Sequence, residues 1–227
     1  MIKSIIYTLT YIIFFIVAAI VLFINLAPQF GSNPSSEQKV FYDSFPNYSK
    51  GGFENFEATP MMTGEISTWD FFKEDSSRKP TSAILPKSIN FDSFAKTNSD
   101  YRLAWLGHSA FLINVMGKII LLDPMLGSHA APIPLPNLKR FNEVLPIKLD
   151  SVDRIDFVVI SHDHYDHLDY STIKLLKDKV SKFLAPHGIG NHLKRWGVNS
   201  DQIIELNWNE SFNAEKIEFH CLPSRHF

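Results

Sequence analysis

Ser161-His162-Asp163-His164-Tyr165-Asp166-His167 is the stretch on which the reading of this chain turns. Three histidines and two aspartates fall within six positions, and the whole chain has only nine histidines. The run follows residues 154–160, whose Phe157-Val158-Val159-Ile160 is too apolar to face water on either side and predicts a strand inside a sheet. A straight strand sends alternate side chains to opposite faces, whereas a loop at its C-terminal edge can turn several towards one point. His162 and His164 can share one ion, and Asp166 and His167 can take a second. Neutral imidazoles with carboxylate suit zinc first, and iron or manganese next.

So short a loop rarely closes a coordination sphere alone, so a distant histidine should complete it. The candidates are His108, His129, His187, His192, His220 and His226. His226 follows a predicted strand and Pro223, again at a strand edge, and is the choice. His220 alternates with Glu218 and Leu222 along that strand and reads as structural. His129 and His192 read as surface residues. His187, after Pro186, reads as a turn residue, with lining the site as the alternative.

Outward from the loop, the pattern predicts strands at 101–106 and 110–115, split by Gly107-His108-Ser109. Met116-Gly117-Lys118 reads as a hairpin turn before a buried strand at 119–122, which ends at Asp123-Pro124. Leu168-Asp169-Tyr170-Ser171 opens a helix to about residue 180, with Ile173, Leu175 and Leu176 as its apolar face. A short strand at 183–185, a short helix at 188–196 and strands at 203–206 and 216–222 follow. Strands before helices, with a hairpin ladder first, predict a mixed sheet covered by helices.

The N-terminus is different in kind. Residues 5–26 are apolar except for Thr8, Thr10 and Asn25, and no charged side chain lies between Lys3 and Glu37. At a rise of about 1.5 Å per residue this run covers about 33 Å, enough for a hydrocarbon core of about 30 Å. A cleaved signal would have an apolar region of about 7–15 residues ending in a small-x-small site. Here Val17-Ala18-Ala19 sits mid-run, so residues 1–27 read as an uncleaved anchor with the lipid bilayer as partner. Lys3 precedes the span and no basic residue follows before Lys39, which places the globular part on the non-cytoplasmic side by the positive-inside tendency. Residues 28–100 are rich in Pro and Gly but carry Phe41, Tyr42, Phe45, Tyr48, Phe53 and Phe56, too many aromatics for a disordered linker. They read as an arm packing on the globular part, with Trp69-Asp70-Phe71-Phe72 as one helical turn. A net charge of −2 with no basic stripe excludes a nucleic-acid partner. The single cysteine, Cys221, excludes an internal disulfide and reads as a small buried core residue.

His162-Asp163-His164-Tyr165-Asp166-His167 resembles the H-x-H-x-D-H signature of the metallo-β-lactamase superfamily. Trp105-Leu106-Gly107-His108-Ser109-Ala110-Phe111, Leu121-Leu122-Asp123-Pro124 and Leu222-Pro223-Ser224-Arg225-His226-Phe227 narrow the resemblance. Together they are similar to the N-acylphosphatidylethanolamine-hydrolysing phospholipase D-like branch and, near it, the ascorbate-6-phosphate-lactonase-like hydrolases. Ala27-Pro28-Gln29-Phe30-Gly31 and Gly52-Phe53-Glu54-Asn55 look like the arm of bacterial members. The resemblance covers about residues 27–227.

It implies the αββα sandwich of that superfamily, incomplete on its C-terminal side, with residues 101–227 as the first part of the hydrolase domain. By position it implies that His162, His164 and His226 hold a first zinc, and that Asp166 and His167 hold a second, Asp166 being the catalytic group. Asp123 would orient ligands from behind, with a simple turn carboxylate before Pro124 as the alternative. His108 would lie at the pocket or brace the loop. The family also supplies a bridging aspartate and a last histidine beyond the His226 position, whereas this chain stops at Phe227. The expectation is therefore a first part of a longer hydrolase or a truncated product, with two protein ligands on the second metal and slow turnover. The implied activity is phosphodiester hydrolysis on a phospholipid. A lactonase or another metallo-hydrolase is the alternative, and a non-catalytic metal-binding fragment the third.

Overall fold

The computed structural model describes residues 2–60, 80–96, 101–142 and 144–226, so the turn expected at Trp69-Asp70-Phe71-Phe72 lies outside the described residues. Helix α1 (Ile2–Leu26) buries none of its residues and is long and apolar enough to cross a membrane. The chain leaves it through a short 3-10 turn at Pro28–Phe30 and enters α2 (Ser36–Tyr42). Ser35 starts that helix with a capping box: its Oγ accepts from Gln38 N at 3.2 Å, and Gln38 Oε1 accepts from Ser35 N at 2.8 Å. A small hairpin, β1 (Tyr48–Ser49) and β2 (Gly52–Phe53), and the one-turn helix α3 (Phe91–Ala95) follow.

The main sheet runs β3 (Tyr101–Gly107), β4 (Ala110–Val115), β5 (Lys118–Leu122), β6 (Ile155–Val159), β7 (Val180–Pro186) and β8 (Ile203–Leu206), each beside the next. The first three pair antiparallel and the last four parallel. Met116 and Gly117, which join β4 to β5, have φ of 51° and 76°, as a mirror-image two-residue hairpin turn requires. Of the three parallel crossovers, those from β6 to β7 and from β7 to β8 run through α4 (Tyr170–Leu176) and α5 (Ile189–Arg195).

Alternation divides the apolar strand residues between two cores. Ile119, Leu121, Val158 and Phe183 pack on the helical side with Ile173, Leu176 and Leu193. Ile120, Phe157 and Leu184 point the other way, onto Phe212, Ile217 and Phe219 of a second hairpin, β9 (Ser211–Ala214) and β10 (Ile217–His220). Phe157 and Phe219 meet with ring centroids 5.0 Å apart. The result is a mixed α/β sandwich with the apolar helix α1 ahead of it. Since β6 is covered on both faces, its unbroken apolar run is explained.

Three local readings are corrected. Helix α4 stops at Leu176, passes through a 3-10 turn at Lys177–Lys179, and yields at Val180 to a strand three residues longer at its start than expected. Asp169 caps α4, and Thr172, Ile173 and Leu176 form its buried stripe, which leaves Leu175 48% exposed. Cys221 is half-buried rather than in the core, its Sγ 3.9 Å from Leu206 O. Hairpin strand β9 was not anticipated.

Candidate metal centre

Every element that ends near Ser161 contributes to one cluster. Strand β5 delivers Asp123, buried and at a φ of 42°, in the left-handed region a side chain rarely adopts. Its N–H remains tied to Val159 O at 2.9 Å, so the strained turn is held against the neighbouring strand. The next segment of chain at the sheet edge is the histidine-rich loop after β6.

Asp123 receives three hydrogen bonds from that loop. Oδ1 accepts from Ser161 N at 2.7 Å, and Oδ2 accepts from Ser161 Oγ at 2.7 Å and from His167 Nδ1 at 2.9 Å. A carboxylate only accepts, so these contacts assign the protons. His167 carries its proton on Nδ1, leaving Nε2 bare and 3.6 Å from Asp166 Oδ2. The single proton of Ser161 Oγ goes to Asp123, so at 2.8 Å that oxygen accepts from His162 Nδ1. His162 Nε2 is then bare as well, and it is buried without a hydrogen-bond partner among the described residues. Burial first, then the crowding of His167, His164 and His226, push the His162 pKa down to about 4. Near neutral pH it is an uncharged imidazole, the form that ligates metals.

Two donor sets result. His162, His164 and His226 bring their nitrogens within 4.8 Å of one another, and His226 Nε2 stands 2.9 Å from His164 Nδ1. His108, Asp166 and His167 form the second set within the same limit. The sets adjoin, the rings of His162 and His167 having centroids 4.1 Å apart. Both fit a divalent metal by donor chemistry, and the orphaned His162 nitrogen is the kind of buried polar atom such an ion would satisfy.

All of the residues singled out from the sequence are here, with one difference of role. The sequence reading put Asp166 and His167 alone on a second metal. The structure adds His108, whose Nε2 lies 2.7 Å from Asp166 Oδ2. Burial alone would raise the Asp166 carboxyl, but the His108 hydrogen bond and nearby His167 bring it below the ordinary carboxylate value. His108 sits in the turn between β3 and β4 at a φ of 48°, with Trp105 Nε1 donating to its carbonyl at 2.6 Å. The sequence reading had His108 at the pocket or bracing the loop, without a place on the second metal.

A cavity of about 730 Å³ opens on the first set and is walled on the opposite side by the arm, through Tyr42, Tyr48, Phe53 and Asn55 among others. His187 is a turn residue and also lines this cavity, stacked on Phe45 with centroids 5.0 Å apart. Burial lowers its pKa, against the opposing pull of Glu205 and Glu210. His192 corrects the expectation of a surface residue. It lies beneath the arm, where Nδ1 accepts from Ser32 N at 2.9 Å and a side chain at Gly31 would collide with its ring. His129 is half-buried beside Ser128, and His220 is exposed on β10 with Nε2 3.3 Å from Glu218 Oε2.

Residues 118–227 match the family model described as the beta-lactamase superfamily domain. Over 203 residues the chain is 34% identical to an uncharacterized protein of Mycobacterium tuberculosis, covering 87% of this chain and 54% of that one. It is 33% identical over 161 residues to N-acyl-phosphatidylethanolamine-hydrolyzing phospholipase D 1 of Caenorhabditis elegans, covering 66% of this chain and 45% of the relative. A UPF0173 metal-dependent hydrolase of Hyperthermus butylicus is 29% identical over 104 residues, covering 45% and 40%. The chain thus spans about half the length of the curated relatives it matches. Residues 118–227, with the histidine-rich loop they contain, thus match a beta-lactamase superfamily domain, and the chain resembles the N-acylphosphatidylethanolamine-hydrolysing phospholipase D branch of that superfamily.

Proposed function

We propose that this chain is the metal-binding part of a membrane-anchored, metal-dependent hydrolase that cleaves phosphodiesters of membrane lipids. The observation that carries the reading is the pair of adjoining donor sets, His162, His164 and His226 beside His108, Asp166 and His167, with Asp123 behind both. Zinc is the first choice of ion, with iron or manganese also compatible with the ligands. Ions bound there would supply Lewis acidity, which makes a water molecule acidic near neutral pH and offsets charge on substrate oxygens.

The chain's own residues do the rest. Asp123 holds the protons of His162 and His167 on Nδ1 and keeps both Nε2 lone pairs aimed inward. Asp166, held below its ordinary pKa, is an anion ready to ligate or to accept a proton at Oδ2. The arm closes one side of the cavity and limits water around the reacting groups. The lipid substrate is favoured by α1, which would keep the cavity close to a bilayer surface, and by the worm phospholipase among the relatives.

The test is hydrolysis of bis-p-nitrophenyl phosphate and of a lactone by detergent-solubilised protein, with chelator controls. Chelator-sensitive cleavage of the diester in excess of the lactone is the expected result, and the reverse preference would replace the phosphodiesterase reading with a lactonase. Elemental analysis of a His162→Ala, His164→Ala double variant should show loss of the tightly bound metal. Unchanged metal content would overturn the site itself.

A further inference from the structure

His226 enters the first donor set from a segment that lies beyond the last strand. Strand β10 ends at His220, and pairing continues only to Cys221, whose N–H donates to Glu210 O at 2.9 Å and whose carbonyl accepts from Asn209 N at 2.7 Å. From residue 222 to 225 the backbone makes no hydrogen bond to other backbone among the described residues, and Leu222 is 68% exposed. Yet the His226 imidazole must sit within 4.8 Å of those of His162 and His164. Fixing so irregular a segment costs conformational entropy that something must offset.

Contacts that hold it in place come from the N-terminal arm. Asn55 Nδ2 donates to the backbone carbonyl of His226. Arg225, the preceding residue, reaches the same stretch of arm: Nε donates to Thr59 Oγ1 at 3.2 Å, and Nη2 is 3.5 Å from Ala58 O. Between these points Phe56 packs edge-on against Trp208, with centroids 4.8 Å apart, which seats the stretch on the loop between β8 and β9. Three arm residues thus converge on the segment that bears a single histidine, and one ring contact seats that stretch of arm on the neighbouring loop.

We propose that residues 55–59 of the arm form a clamp that places His226 in the first donor set, with Asn55 as its positioning residue; the inference rests on the metal reading above. The arm is then part of the metal centre, although it contributes no ligand. A group that orients a ligand in this way typically changes metal affinity by about 10–100-fold. Asn55→Asp keeps the size and shape of the side chain but replaces the donor with an oxygen that faces the His226 carbonyl.

The experiment titrates Co2+ into the full chain in detergent, comparing unaltered protein with Asn55→Asp and Asn55→Ala. Affinity is read by competition, ligand geometry by the visible absorption bands, and folding by the melting temperature of the metal-free protein. Both variants are expected to bind Co2+ about 10–100-fold more weakly with altered bands, while the metal-free melting temperature stays in place. Wild-type bands with affinity within about twofold in both variants would overturn the clamp. So would a loss of affinity that merely follows a fall in metal-free melting, since that assigns Asn55 to general stability. If the unaltered chain binds no Co2+, the metal reading itself falls and takes the clamp with it.

Discussion

Asp123 Oδ2 lies 2.9 Å from His167 Nδ1, and that contact decides which nitrogen of the imidazole is left bare. The same oxygen takes the proton of Ser161 Oγ, and Ser161 in turn takes the proton of His162 Nδ1. One buried carboxylate therefore sets the tautomer of a histidine in each donor set. Orientation from behind the ligands was one of two readings the sequence allowed for Asp123; reaching both sets through Ser161 was not among them.

Asp123→Asn tests this relay. The amide keeps the shape of the side chain but has one oxygen for the several donors that converge there, and its NH2 must face at least one of them. Metal affinity should fall by about 10–100-fold at both sets, measured by competition with a chromophoric chelator. A variant that binds as the parent does would show that the tautomers are set by something else.

What could be read in advance followed from local pattern. Phe157 to Ile160 announced a doubly covered strand, and Met116-Gly117 a tight hairpin, because alternation and turn chemistry are written within a few residues. The six-residue run at His162 announced the centre for the same reason. His108 and Asn55 lie 58 and 171 residues from Asp166 and His226, and only the closing of the sheet and the draping of the arm bring them there. Strand β9 was legible in principle, since Ser211-Phe212-Asn213-Ala214 alternates polar and apolar, but a single large inward residue is a thin signal. Leu175 was misread because a helix of seven residues has room for only one narrow buried stripe.

The depressed pKa of His162 gives stability a definite pH dependence. In the unfolded chain this imidazole takes a proton near 6.5, whereas in the folded protein it does so only at about 4. Below 6.5 the unfolded state binds the proton more readily, so the stabilisation is complete above 6.5 and is lost as pH falls towards 4. His187 and His192 are also lowered by burial and act with the same sign. The metal-free protein should therefore melt at progressively lower temperature from pH 7 to pH 4, and His162→Asn should flatten the slope. A melting temperature that is constant across this range would contradict the assignment.

Helix α1 should hold the protein in membranes. Its end is coupled to the folded part, since Arg195 Nη2 donates to Asn25 O at 2.8 Å and to Leu26 O at 3.1 Å, and Trp196 Nε1 donates to Pro28 O at 2.6 Å. An arginine beside the last carbonyls of a helix also offsets the negative end of its dipole. The protein is expected to pellet with membranes and to resist carbonate extraction. Recovery of a soluble form beginning within residues 20–35 would show that the segment is removed as a signal.

His108 separates the two donor sets experimentally. Its Nε2 contacts Asp166, but it stands apart from the first set, and it occupies a left-handed φ that asparagine tolerates better than most residues. His108→Asn should therefore keep the turn between β3 and β4, including the Trp105 bond, which is made to the backbone carbonyl and not to the ring. If His108 is a ligand, the variant loses one of three donors from the second set and none from the first. Stepwise zinc titration should then show the tighter step unchanged within about twofold, and the weaker step reduced by about tenfold or more. If His108 only braces the loop, both steps should weaken together, because His162 and His167 lie in that loop side by side. Equal losses at both steps would return the second set to Asp166 and His167 alone.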